Sequence, residues 1–583
     1  MVKWGDSLNP WGMMAVRLAS VTKKSARIAA AEACLFLLLA LVDPFQIVRW
    51  SEQRSRELWQ EVYASRYGAD QSRTRQKSGT KDAREEIVIV YTDDTTLSRI
   101  GQSRPISGFQ LIDMIDDVLL ASGGKAAPKA IFVDFVLAHA APRDRTADAM
   151  VAAIAAEREG CEARVREGPP LSPFQCLLAR VSEITRHETW RGDPTCLESS
   201  VATISCIRKA GGTPLLFADT RQAGDAPSAA LDALDRVAVI APVILDERRY
   251  ALADPDQWKA RKHRAYRLYP AAALFAIHCA DKAANCAVNP VEADDQNRPA
   301  WSKAFDREVD VIWATGGPSA ASGQVERQRG GALEQTCEPA DPSTKRALAA
   351  MGRLLFAGVD VSAPRPCLHS QAIPYDIFHS PISQAEIAKL VGGKLVLIGG
   401  QFADSNDVVA APPYGSLPGI YYHAMALDNL ISYGADYPKA PRRVFASLNI
   451  TWTDMGNAAA IFAVGFFLAA ARNVLAARER RSWASRAAWL RDLGTRALIG
   501  FGFLGVMLAL FILFVAPLRL VPPSFNLVAI TLLCFAGAAQ LLWLVIQPVR
   551  VAAYRQFTSV RFPTRPLGPP SGAARGQSRT RRK

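Results

Sequence analysis

Four apolar runs constrain this 583-residue chain more than any other feature. Ile28–Val48, Trp452–Ala471, Ala497–Ala516 and Pro523–Gln547 are each long enough to cross a hydrocarbon core of about 30 Å as a helix. They leave one uninterrupted segment, 49–451, that is large enough for a core of its own. The first run follows Lys23, Lys24 and Arg27, as in a secretory leader, but no A-x-A cleavage site comes after its core ACLFLLLALV. The chain continues through Asp43-Pro44-Phe45 into Ile47, Val48 and Trp50, which suits a retained interfacial anchor. Glu32 lies near the charged end of that run, where a carboxylate is close to water.

Basic residues near the spans set the expected orientation. Residues 1–27 carry five basic side chains against Asp6, and 472–496 carry seven arginines against Glu479 and Asp492. The tail from Arg550 carries eight arginines and Lys583 with no acid. These segments together hold a net +18, against +14 for the whole chain, so the remainder is slightly acidic. The high pI is therefore topological, and no nucleic-acid partner is expected. The resulting map is a cytoplasmic amino terminus at 1–27, span 28–48, an outer domain at 49–451, and span 452–471. A basic cytoplasmic loop at 472–496, spans 497–516 and 523–547, and a basic tail at 548–583 complete it. The loop, with Trp483, Trp489, Leu490 and Leu493, reads as a connector able to lie on anionic lipid. The Pro- and Arg-rich tail reads as disordered.

Cysteine placement gives an independent check. Cys161, Cys176, Cys196, Cys206, Cys279, Cys286, Cys337 and Cys367 all fall in the outer domain, Cys34 and Cys534 fall in spans, and none is cytoplasmic. An even set confined there predicts disulfides in an oxidising compartment, with 105 connectivities open. No C-x-x-C pair points to zinc or redox chemistry.

Within the outer domain, hydrophobic patterning predicts an α/β fold with a mixed, largely parallel sheet and flanking helices. Glu86–Tyr91 reads as a strand ending at Thr92-Asp93-Asp94. A helix from Phe109 to Ala121 follows, with Ile112, Ile115, Leu119 and Leu120 facing the core, and then a strand at Lys129–Phe135. Asp144–Ala156 reads as a second helix, and Cys161–Cys206 as an inserted polar connection. Further strands are expected at Pro214–Phe217, Val237–Leu245 and Val309–Ala314, with a helix at Pro270–Ala280. Residues 315–345 read as a surface excursion. Lys394–Ile398 has the continuous apolar look of a strand buried on both faces. Gly399-Gly400 ends it with a turn at positive φ or a close backbone approach, and a helix opens near Ile420.

The segments IVIVYTDD (Ile87–Asp94), APKAIFVDF (Ala127–Phe135), GGKLVLIGG (Gly392–Gly400), the Asp404/Asp407 loop and LPGIYYHAMALDNLI (Leu417–Ile431) resemble the second type of CHASE domain. The plan of one anchor, a large outer domain and three closing spans is similar too. The resemblance implies an extracellular sensory module of the kind found with bacterial cyclases and histidine kinases. Where typical members carry a Trp-Pro-Arg tract after the first strand, this chain has Arg104-Pro105-Ile106-Ser107. Only 36 residues follow Gln547, so no output enzyme is expected in the tail.

Asp93, Asp94, Asp134, Asp404 and Asp407 sit at or just beyond predicted carboxyl ends of strands, the edge where open α/β sheets bind ligands. Such carboxylates suit a divalent cation or a cationic ligand, with the metal's identity left open. His423, beside Tyr421 and Tyr422, falls near the same edge, and helix and turn capping is the competing role for each Asp. No G-x-S-x-G elbow and no G-x-x-x-x-G-K-[ST] loop occurs, so no enzyme activity and no cofactor are expected. The leading expectation is a multi-pass inner-membrane sensor with its large domain on the periplasmic or extracellular side. Its expected partners are an extracytoplasmic ligand, a separate cytoplasmic effector, membrane lipids and a second copy in a homodimer. The alternatives are an envelope scaffold that does not signal, and an outer-face metal-dependent hydrolase.

Overall fold

The computed structural model describes residues 83–121, 127–135, 137, 147–152, 161, 172–220, 228–243, 250–253, 267–281, 286, 305, 307–313, 315–316, 367–380, 384–402, 407–411, 415–440, 443–445 and 450–451. Isolated helical residues at 26, 27, 30, 34, 462 and 466 are also described. The chain divides into two compact units, and every element named below belongs to the one formed by Asp43–Met455 and Phe514–Phe525. Among the described residues no helix is long and apolar enough to cross a membrane. The four apolar runs lie outside the described residues, apart from Ala30, Cys34, Phe462 and Phe466. The basic loop and tail lie outside them entirely.

In chain order the elements are β1 Ile87–Thr92, α1 Gly108–Ala121, β2 Ala130–Asp134, α2 Pro173–Ile184 and α3 Ser200–Lys209. Then come β3 Leu215–Asp219, α4 Ala229–Val237, β4 Val239–Pro242, α5 Pro270–Cys279 and β5 Gln371–Pro374. The series closes with α6 Gln384–Val391, β6 Leu395–Gly400, β7 Val408–Ala411, β8 Gly415–Pro418 and α7 Gly419–Tyr433. Six strands form one sheet in the order β4-β3-β2-β6-β1-β5, and every pairing in it is parallel. Among the described residues, antiparallel pairing is limited to small two-stranded ribbons such as β7–β8 and to isolated bridges.

The alternation of each strand splits its side chains between two cores. Ile87, Ile89, Phe132, Leu216, Leu395 and Leu397 pack on one face with α3, α5 and α7. Val88, Val90, Ile131, Val133, Val396 and Ile398 pack on the other with α1, α2, α4 and α6. Both faces of a parallel sheet are thus covered by helices, which is why its strands read as unbroken apolar runs. α5 is buried at every position, and α7 from Gly419 to Leu430, because these two helices pack on each other as well as on the sheet.

Several expectations are corrected. The described part of the expected polar connection, from Ser172 onward, instead forms α2 and α3, whose Phe174, Leu177, Leu178, Val181, Ile204 and Ile207 recur at helical spacing and are buried. Leu120 is 71% exposed, because the α1 core stripe runs through Leu111, Met114, Ile115 and Val118 instead. Val309–Trp313 joins no sheet. Val309 makes single antiparallel bridges to Tyr250 and Lys439, and the Asn429 carboxamide pairs with both backbone groups of Ile312 in place of a strand. β5 carried no strand signal in its sequence QAIP and forms the sheet edge, where a terminal proline is tolerated.

Among the described residues three disulfides are present, Cys161–Cys176, Cys196–Cys206 and Cys279–Cys286. Each closes a short loop, so the cross-links pin local segments onto the helices that carry one of the paired cysteines. The side chains of Cys337 and Cys367 lie outside the described residues.

Candidate functional site

The last strand to enter the sheet, β6, takes its centre, between β2 and β1. Asp134 pairs in register with Gly399, and Thr92 with Gly400. The carboxyl ends of β1, β2 and β6 therefore form one edge, as the parallel reading required. The glycines serve close approach alone. Neither has positive φ, but a side chain on Gly399 would run into Ile420 of α7, and one on Gly400 into Phe402. Two bare positions let α7 lie against the end of the central strand.

Three of the six candidate residues converge here. Asp134 ends β2 with a side chain only 9% exposed, and its Oδ2 has no hydrogen-bond partner. His423, one turn into α7, is buried and turns Nε2 toward that oxygen at 3.8 Å, beyond hydrogen-bond reach. On its other side His423 Nδ1 lies 2.7 Å from Tyr250 Oη, which accepts the Ala271 N–H at 3.0 Å. The Tyr250 hydroxyl and His423 Nδ1 share one hydrogen bond, in which the tautomer of the neutral imidazole sets which group donates. A line of polar groups therefore runs from the start of α5 through Tyr250 and His423 toward Asp134.

Asp407 completes the group from the segment before β7. As a residue it is exposed, but its carboxyl is recessed against the first residue of α7, and its main-chain carbonyl accepts the Gly419 N–H at 3.1 Å. A side chain at Gly419 would collide with that carboxyl. The amino-terminal end of the helix dipole lies beside it, which favours a negative group there. Burial, and then the charge of Asp407, push the Asp134 carboxyl well above its usual range, and burial raises Asp407 as well. Burial alone lowers His423 to about 3. The cluster therefore combines an imidazole that stays neutral with two carboxyls that resist ionising together.

The other candidates have different roles. Asp93 caps the short helix Asp94–Arg99, its carboxylate accepting the Thr96 N–H at 2.6 Å. Asp94 points to the surface and pairs with Arg104 at 2.8 Å. Asp404 lies outside the described residues. Among those residues, one group of three potential metal ligands converges, Asp193, Cys196 and Cys206, and its two cysteines are bonded to each other.

Sequence reasoning missed Tyr250, which lies in an irregular segment with no periodic signal. It also passed over Asp219, which ends β3 as Asp134 ends β2 and could have been found by the same rule. Arg267 neutralises it, with Nη1 donating to Asp219 Oδ2 at 3.1 Å and Nη2 to Asp235 Oδ2 at 2.6 Å. Further along α7, buried Asp428 faces His369 Nε2 at 3.2 Å, and Asn429 grips Ile312. Polar ties thus hold α7 along its length.

Comparison with protein families decides what this arrangement belongs to. Residues 34–470 match the family model of the CHASE2 domain. The chain is a member of the CHASE2 family. No curated protein and no solved structure matches it. CHASE2 is a family of sensory domains, which is consistent with a role in signalling. The CHASE2 match takes in all of the sheet and helices described above.

Proposed function

We propose that this protein is a bacterial inner-membrane sensor. In this reading the CHASE2 domain lies on the extracytoplasmic side, binds a ligand at the Asp134–Asp407–His423 edge, and signals to a separate cytoplasmic effector. The observation that carries it is the buried, unpartnered Asp134 carboxyl facing the amino-terminal turn of α7 within a family of sensory domains. An unsatisfied buried carboxyl oxygen is costly, and a ligand donating a hydrogen bond to it would offset that cost. Three disulfides support an oxidising compartment for the domain.

A ligand acts by binding one arrangement of the domain better than another. α7 is the element suited to report the difference. It touches the carboxyl pair at Gly419 and His423, is tied again at Asp428 and Asn429, and ends at Gly434, within about twenty residues of the second apolar run. Movement at its first turn is transmitted as that of a rigid rod. Crosslinking and co-purification from membranes should recover a cytoplasmic protein that depends on 472–496 or 548–583. Recovery unchanged after deleting both segments would refute the signalling route. A stoichiometric envelope complex that forms without any ligand would favour a scaffold instead.

A further inference from the structure

We propose that Asp193, Cys196 and Cys206 form a Zn²⁺ site that the disulfide between the two cysteines keeps shut, so that reduction of this one bond opens a metal-binding position. The proposal is independent of the ligand and the signalling route argued above. Among the described residues these three are the group whose ligand atoms converge, a carboxylate oxygen and both sulfurs lying within 4.8 Å of one another. The disulfides Cys161–Cys176 and Cys279–Cys286 have no third donor so placed among those residues. Asp193 and Cys196 are separated by two residues, the spacing with which one tight turn presents two zinc ligands, and Cys206 follows after nine more.

The site does not depend on the covalent bond for its shape. Pro194–Leu197 form a 3₁₀ turn capped by Asp193, whose Oδ1 accepts the Thr195 N–H at 2.9 Å and the Thr195 hydroxyl at 2.6 Å. The Cys196 N–H returns to the Asp193 carbonyl at 3.2 Å, and the Cys196 carbonyl accepts the Thr203 hydroxyl of α3 at 2.6 Å. Cys196 is buried with Trp190 and Ile207, and Ser199 caps α3 by accepting the Ala202 N–H at 3.1 Å. These ties hold the turn against the helix when the sulfurs are no longer bonded. The two Cα atoms are 5.8 Å apart. Side-chain rotation therefore lets the thiolates part to the roughly 3.8 Å that two sulfurs of a tetrahedral Zn²⁺ require. Both capping bonds fall on Oδ1, which leaves Asp193 Oδ2 for the third position, with water in the fourth.

Opening needs a dithiol reductant. Cys206 is half-buried beside exposed Arg208 and Lys209, and Asp193 to Thr195 are exposed, so the bond is reached from solvent. A thiolate of the reductant attacks the Cys206 sulfur, the disulfide breaks and Cys196 leaves as a thiolate. The reductant's second thiol then resolves the mixed disulfide and releases Cys206. Two thiols of the reductant become a disulfide, and the two cysteines gain the two electrons and two protons. Zn²⁺ displaces those protons to solvent, and the metal with two thiolates and one carboxylate carries the same net charge as the carboxylate beside the closed disulfide. On its other side α3 is tied to α5, Arg208 donating to the Ile277 carbonyl at 3.0 Å, and α5 packs on α7.

The test uses the full-length protein in lipid nanodiscs, reduced with dithiothreitol, freed of it by anaerobic desalting, and titrated with Co²⁺ and then Zn²⁺. The expected result is a tetrahedral thiolate–Co²⁺ spectrum that saturates at a single equivalent, is displaced by Zn²⁺ and is absent from the oxidised protein. Alkylation followed by mass spectrometry should show Cys196 and Cys206 protected by Zn²⁺. The spectrum should be lost when Cys196→Ser and Cys206→Ser are combined and in Asp193→Asn, and kept when Cys161→Ser and Cys176→Ser are combined. If the first pair of substitutions prevents folding, Asp193→Asn, at an exposed position, decides the matter. A bond that dithiothreitol does not open in the folded protein, no saturable Co²⁺ spectrum after reduction, equal binding by the oxidised protein, or an unchanged spectrum in a folded site variant would each overturn the proposal.

Discussion

Two neighbouring strands end in the same way and are treated differently. β2 closes on Asp134 and β3 on Asp219; both residues are nearly buried, at one edge of one parallel sheet. Arg267 reaches Asp219 and Asp235 together, so both carboxylates share one buried guanidinium. At Asp134 the neighbours are another carboxyl and an imidazole whose Nε2 lies 3.8 Å away. The contrast separates a carboxylate that holds the fold together from one that the fold leaves open. Burial and strand position alone do not tell them apart; the presence of a fixed cation does.

The largest expected effect lies on the closed side. Arg267→Met should strand Asp219 and Asp235 without their cation and cost roughly 3–5 kcal/mol, seen as a fall in the thermal midpoint of the full-length protein in detergent. If the midpoint barely moves, the two ends of strand are not as different as their partners suggest. On the open side the sign reverses. Asp134→Asn places a carboxamide donor against the Asp407 carboxylate and should stabilise the domain at neutral pH by about 1.5–3 kcal/mol.

The pH dependence of that gain follows from the raised Asp134 value. A carboxyl whose folded pKa lies above its unfolded value supports folding below the ordinary 3.8 and loses that support as pH rises through the folded value. The advantage of Asp134→Asn should therefore be absent in strong acid and grow as pH increases, and denaturation midpoints across the acid range would show it. A gain independent of pH would mean that Asp134 is not the group responsible.

Two smaller effects sharpen the geometry. Gly419→Ala pushes a methyl group into the Asp407 carboxyl and should cost about 1–3 kcal/mol, with a matching loss at Gly399→Ala, where Ile420 is the obstacle. Double substitution of Gly419 and Asp407 should recover part of the loss if the collision is its cause. Tyr250→Phe leaves His423 Nδ1 and the Ala271 N–H without their shared partner and should cost about 1 kcal/mol by the same melting measurement. A larger loss would show that this line of polar groups also supports the packing of α5 on α7.

The strands β1, β2 and β6 were legible because burial on both faces leaves unbroken runs such as IVIV, AIFV and LVLI. α1, α5 and α7 were legible from helical spacing or continuous apolarity near proline and glycine boundaries. α2 and α3 were hidden by the polar and charged residues on their outer faces and by cysteines that suggested an irregular loop. β5 was hidden because QAIP has too few apolar residues to stand out. The mixed sheet expected from the sequence is wholly parallel, since strand direction depends on crossovers that patterning does not reveal.

The sequence by itself marked the apolar runs of the central strands and showed that eight of the ten cysteines fall within residues 49–451. It also identified Asp134, Asp407 and His423 as chemistry placed at the ends of elements, because local alternation and turn residues are written in neighbouring positions. Only the tertiary structure decided that β6 enters the sheet between β2 and β1, and so brings Asp134 within reach of α7. It alone decided that Arg267, far along the chain from Asp219, would close one carboxylate and leave the next one open. Charge compensation is a matter of distances in space, and residues separated by dozens of positions meet only when the chain has packed.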